Sequence, residues 1–97
     1  MDNAEVSIKD KYVLMNVTEE LVKKQVSEVM KHTDMCQCEK CFLDTCAIVL
    51  NSLKAHYVTT RKGELLTRLT ASELQNKTDM AFSVLSAIRR VKNSPNH

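Results

Sequence analysis

The sequence predicts a mainly α-helical fold: a small domain of three to four helices with one short extended segment. Three observations predict it. The chain has 97 residues with a single glycine, Gly63, and a single proline, Pro95, whereas an all-β domain needs turn residues at short, regular intervals. Apolar residues recur at helical spacing in three separate stretches. Hydrophobic residues make up 43% of the chain and charged residues 27%, the balance of an ordinary globular protein and not of a disordered one. The length suits one domain, residues 1–97, ordered over about 10–92.

The first helix opens at Asn16-Val17-Thr18-Glu19, with Asn16 as N-cap and Glu19 placed to return a bond to it. Glu19 and Glu20 also suit the positive end of the helix dipole. Val22, Val26, Val29 and Met30 lie on one face, and the helix is expected to run to about His32, where Thr33-Asp34 favours a turn. A second helix, starting near Glu39, carries Phe42, Leu43, Cys46, Ala47, Val49, Leu50 and Leu53, an apolar arc broad enough for burial on more than one side. The run Ile48-Val49-Leu50 also suits a strand, but its surroundings keep helical spacing.

Tyr57-Val58-Thr59-Thr60 is rich in β-formers and leads to Gly63, so residues 55–69 are expected to form an extended link or small hairpin with Gly63 in its turn. Thr70-Ala71-Ser72-Glu73 reads as a capping box that opens the last helix. That helix carries Leu74, Ala81, Phe82, Val84, Leu85, Ile88 and Val91 and reaches about Lys92; residues 93–97 form a frayed polar tail. Apolar on about half its circumference, it is the candidate surface for a homodimer, or else it only covers its own core.

The charge pattern and motifs exclude several function classes. The net charge is only +2, so no global field demands a nucleic acid or membrane, and no specific nucleic-acid signal is present. The charge is nonetheless uneven: residues 61–97 hold three acids and seven bases, either a solvated mixed surface or an anion-binding face. One glycine rules out a P-loop or dinucleotide fingerprint. Neither a secretory leader nor a membrane span is apparent, which points to a cytoplasmic protein with reduced thiols. His32, His56 and His97 have no nucleophile or carboxylate at a telling spacing, so no catalytic residue is assigned and the protein is read as a non-enzyme.

Four cysteines, Cys36, Cys38, Cys41 and Cys46, fall within eleven residues. In a reducing compartment such a cluster argues for metal before disulfides. Four thiolates on one ion make a closed structural zinc site. Cys46 lies more than a turn along the second helix, so His32 or Asp44 stands as an alternative fourth ligand. The alternatives are an iron–sulfur cluster, whose common motifs carry other spacings, a redox pair at Cys38 and Cys41, for which Glu39 and Lys40 give no thioredoxin-like context, and plain buried cysteines. A zinc staple suits a domain whose small core barely offsets its conformational entropy.

These residues resemble a known family. Asn16 and Glu19, then Cys36-x-Cys38-x-x-Cys41-x-x-Asp44-x-x-Ala47-x-x-Leu50-Asn51-x-Leu53, then Tyr57-Val58 and Gly63-Glu64, are similar to the late competence development protein ComFB family over about residues 12–69. The resemblance implies a small helical dimer with metal bound through its cysteines, a link to competence, and in some relatives sensing of cyclic di-GMP. Cys36, Cys38 and Cys41 match the family pattern, while Cys46 stands where that pattern has apolar residues. Lys54-Ala55 replaces the family's two prolines, which leaves the linker less rigid or lets the helix continue past Leu53. For a cyclic dinucleotide, His56, Tyr57, Arg61, Lys62 and Arg68 offer charge, hydrogen bonds and stacking.

The expected function is therefore a zinc-binding, non-enzymatic regulatory or signalling module of competence, with cyclic di-GMP as its candidate ligand. The alternatives are a structural adaptor of the competence machinery with a protein partner but no small-molecule ligand, and a thiol redox-sensing zinc switch.

Overall fold

The computed structural model describes residues 12–73 and 76–97. In chain order they form β1 (Met15–Asn16), α1 (Val17–Met30), α2 (Glu39–Asn51), β2 (Tyr57–Val58), α3 (Arg61–Glu73) and α4 (Asn76–Asn93). The two short strands pair antiparallel, Met15 opposite Val58 and Asn16 opposite Tyr57. Val13 N–H to Thr59 O and Val17 N–H to His56 O, both 2.8 Å, extend the ladder at either end.

The core is a three-helix junction of α1, α2 and α4. Val22, Val26 and Met30 from α1 meet Cys41, Cys46 and Val49 from α2 and Val84, Ala87, Ile88 and Val91 from α4. The α1 residues recur every four positions, Cys41 and Val49 are two turns apart with the buried Thr45 between them, and Val84, Ile88 and Val91 recur at four and three, so each helix buries one face. Met35, from the loop after α1, is buried in the same cluster. Thr45 is polar and fully buried; its hydroxyl donates to Cys41 O at 2.7 Å, which satisfies it within the helix.

Asn16 caps α1 as expected, its side-chain oxygen accepting from Thr18 N–H at 3.1 Å. Glu19 does not return the bond; its carboxylate pairs with Lys23 one turn on at 3.0 Å. The helix α2 stops at Asn51, so the absence of prolines after Leu53 does not extend it.

Two expectations are corrected. The segment read as an extended link or hairpin is helical from Arg61, and only Tyr57–Val58 is strand. The decisive cap is Thr60, whose hydroxyl accepts from Gly63 N–H at 2.9 Å. Gly63 is thus a helical residue and not a turn residue. A Cβ there would stand 3.1 Å from the Thr60 hydroxyl, so glycine allows the cap to sit close. Thr70, read as the start of the last helix, lies inside α3, where its hydroxyl donates to Leu66 O at 3.0 Å. A capping box is a local signal and loses to a helix already propagating from Arg61.

Among the described residues of α3 none is buried, and Leu65, Leu66 and Leu69 are exposed. On α4, Phe82 and Leu85 point away from the buried face and are also exposed, against the expectation that they join the core stripe. Leu74 lies outside the described residues. No helix of the described residues is long and apolar enough to cross a membrane.

Candidate metal centre

The site forms where the chain turns from α1 into α2. With no glycine to close it, α1 ends through side chains: Gln37 donates to Met30 O at 2.8 Å and Met35 O at 3.0 Å, and the Thr33 hydroxyl donates to Met30 O at 3.0 Å. These bonds, with Met35 buried as a plug, fix the loop that carries Cys36 and Cys38. Cys38 is the N-cap of α2, its backbone extended (φ −76°, ψ 164°), and its Sγ accepts from Cys41 N–H at 3.4 Å. Cys41 lies one turn inside the helix and is buried, whereas Cys36 and Cys38 are exposed.

The C-terminal residues complete the group. Arg90 and Lys92 suit the negative end of α4, and Pro95 follows the end of the helix, where it cannot propagate. Lys92 pairs with Asp34 in the cysteine loop, so the end of α4 is tied to that loop. The residues beyond it then bring His97 to the thiols: the ligand atoms of Cys36, Cys38, Cys41 and His97 all lie within 4.8 Å of one another.

Three of the four expected metal ligands, Cys36, Cys38 and Cys41, are thus brought together, and His97 stands beside them where Cys46 was expected. Cys46 is buried in the core junction and is not part of the group; burial pushes its thiol pKa up. Neither of the alternatives takes its place: His32 is exposed on the turn after α1, and Asp44 is held by Lys40 at 2.7 Å. From the sequence alone, His97 belongs to a frayed tail. Its only sequence signal is that it is a histidine, because its nearness to the cysteines depends on α4 folding back along α2.

The electrostatics of the group are asymmetric. The Cys41 backbone N–H, followed by the Cys36 thiol, holds the Cys38 thiol down at about 7. Burial, followed by the neighbouring Cys38, pushes Cys41 up to about 12. A cation placed among these thiols would complete the group, because a divalent charge favours the ionised form of every ligand. The donor set fits zinc. Ligands at about 2.3 Å from a tetrahedral ion stand about 3.8 Å apart, so the group needs a contraction of at most about 1 Å to close on a metal.

The sequence profile of the late competence development protein ComFB family matches residues 15–95. The chain belongs to the ComFB family. It is similar in structure to the late competence protein ComFB from Bacillus subtilis, with a TM-score of 0.78 and 28% sequence identity, over 87% of this chain and 93% of that one. No curated protein sequence matches it.

In this ComFB-family fold the five residues expected to hold a cyclic dinucleotide do not form one cluster. His56 is gripped at three atoms by the start of α1: its N–H donates to Asn16 Oδ1 at 2.9 Å, its O accepts from Val17 N–H, and its Nδ1 meets the Thr18 hydroxyl at 3.1 Å. The Thr18 hydroxyl proton goes to Lys54 O at 3.0 Å, so Nδ1 is the donor and Nε2 is left as the free ring atom. His56 lines a cavity of about 450 Å³ walled by Val17, Leu21, Leu53, Leu66 and Met80, with Thr18, Lys54, Thr67, Thr70 and Asp79 as its polar groups. Tyr57 on β2 and Arg61 and Lys62 on α3 are exposed and lie outside that lining, as does the half-buried Arg68. Arg61 and Arg68 both bind Glu64, at 3.0 and 2.9 Å, and so share one counter-charge. The Arg61 bond, then that of Arg68, holds the Glu64 carboxyl below its ordinary range.

Proposed function

We propose that this ComFB-family chain is a non-enzymatic regulatory module of competence, stapled by one zinc ion on Cys36, Cys38, Cys41 and His97. The observation that carries the reading is the convergence of those four ligand atoms within 4.8 Å. Cys₃His is a common structural zinc set with no open position for water. The staple joins the α1–α2 loop, the start of α2 and the C-terminal residues. A metal there stabilises the folded chain by mass action: at free zinc 100-fold above Kd the gain is about 2.7 kcal/mol.

The partner of the module is a second copy of the chain. Leu65, Leu66 and Leu69 on α3 with Phe82 and Leu85 on α4 give apolar surface for such a homodimer. The ligand reading, cyclic di-GMP, is supported by the cavity at His56, with Arg61, Lys62 and Arg68 on the adjoining helix and Tyr57 free to stack. If the ligand does not bind, the adaptor role remains.

Metal analysis of untagged protein tests the staple: one zinc per chain is expected, removed by chelator with a loss of thermal stability of roughly 10–20 °C, at about 4–8 °C per kcal/mol. Well-folded protein free of metal, with a melting point indifferent to added zinc, refutes it. Calorimetric titration with cyclic di-GMP separates the ligand reading from the adaptor.

A further inference from the structure

Within the candidate metal centre, Cys38 and Cys41 have an arrangement of their own. Cys38 is the exposed N-cap of α2 and Cys41 the buried residue one turn inside it. Their sulfurs lie within 4.8 Å, with the Cys41 N–H directed at the Cys38 sulfur. A C-x-x-C pair across the first turn of a helix presents one sulfur to solvent and keeps its partner covered directly behind it. Disulfide formation needs the two side chains close across a short backbone span, which an N-cap and a residue one turn inside the same helix provide. Cys36 is also exposed, but it sits on the loop and lacks the helical register with Cys41.

We propose that Cys38 and Cys41 are a reversible oxidation site for peroxides, with Cys38 the attacked sulfur and Cys41 the resolving one. The Cys38 sulfur takes one oxygen from the peroxide; the O–O bond breaks, and the second oxygen leaves as water or, from an organic peroxide, as the alcohol. The Cys41 sulfur then bonds to the Cys38 sulfur; the S–O bond breaks, and that oxygen leaves as water. Two thiols lose two electrons and two protons, and the peroxide is reduced by two electrons. The disulfide leaves Cys36 and His97 as the remaining ligands of the group, too few for a closed tetrahedral site. Oxidation therefore releases the metal and frees residues 94–97 from the start of α2, a coupling that rests on the zinc reading above.

The test uses the full chain with its metal content measured first. Hydrogen peroxide is added in modest molar excess, released zinc is followed with a chromogenic chelator, and free thiols are counted. The oxidised protein is then digested with trypsin. Cleavage after Lys31, Lys40 and Lys54 puts Cys36 and Cys38 on peptide 32–40 and Cys41 and Cys46 on peptide 41–54. The expected result is one zinc released for two thiols lost, the two peptides cross-linked through Cys38 and Cys41, and reversal by dithiothreitol with zinc. A disulfide closed within 32–40, a cross-link through Cys36 or Cys46, or thiols that persist would overturn the pairing. A Cys38–Cys41 disulfide with zinc retained would overturn the release. Protein carrying no metal at the outset would defeat the zinc reading alone, and the cross-link would still decide the oxidation site.

Discussion

Replacing Asn16 by alanine removes one side-chain oxygen that performs two tasks. It caps α1 through Thr18 N–H and anchors the loop before β2 through His56 N–H. Loss of an N-cap costs about 1 kcal/mol. The His56 bond is solvent-exposed, so water replaces part of it, and its loss adds about 0.5 kcal/mol. The sum, about 1.5 kcal/mol, lowers the melting point of a domain this size by roughly 6–12 °C. Asn16→Asp keeps the acceptor and adds a charge at the positive end of the helix, offset by Glu19 and Glu20 nearby; it should stay within about 0.5 kcal/mol of wild type. Urea unfolding followed by circular dichroism measures both variants, and amide exchange at His56 reports the second bond directly. Alanine and aspartate variants of equal stability, or unchanged protection at His56 in Asn16→Ala, would refute the reasoning.

Three further outcomes are expected. Val84 is fully buried where α4 meets α1 and α2, so Val84→Ala should cost about 2–3 kcal/mol in urea unfolding through lost transfer energy and the cavity left behind. Cys46→Ala should keep its metal while losing about 1–2 kcal/mol of stability, whereas His97→Ala should bind zinc more weakly; metal loss in Cys46→Ala would refute the ligand assignment. The Glu64 carboxyl is held below its ordinary range by Arg61 and Arg68, so its stabilising contribution is complete above the unfolded carboxylate pKa and is lost as pH falls through the lower folded value; in an NMR titration Arg61→Ala should move its midpoint up, and no movement would remove the pairing.

Much of the helical core was legible because its signals are short-range. Asn16 caps the residues that follow it, and Val22, Val26 and Met30 share a face by spacing alone. The cysteine motif points to a candidate metal site for the same reason: Cys36, Cys38 and Cys41 sit within six residues, and the helix start that arranges them lies between them. The structure departs from the sequence pattern where two local signals compete. Thr60 and Thr70 both look like caps, and the upstream one prevails because once a helix has nucleated each further residue adds a bond. Gly63 was read as a turn because glycine permits one, whereas its N–H is bound by Thr60 and the helix passes through it.

The sequence by itself determined the class of fold, the family and three of the four candidate ligands, since each depends on residues a few positions apart. Only the tertiary structure places His97, and not Cys46, beside the other three. Packing buries the Cys46 thiol among α1, α2 and α4, and the same packing lays α4 along α2, so its end reaches the cysteine loop and Lys92 meets Asp34. The partner of a metal ligand is set by which chain segments the core brings side by side, and spacing along the chain carries no record of that.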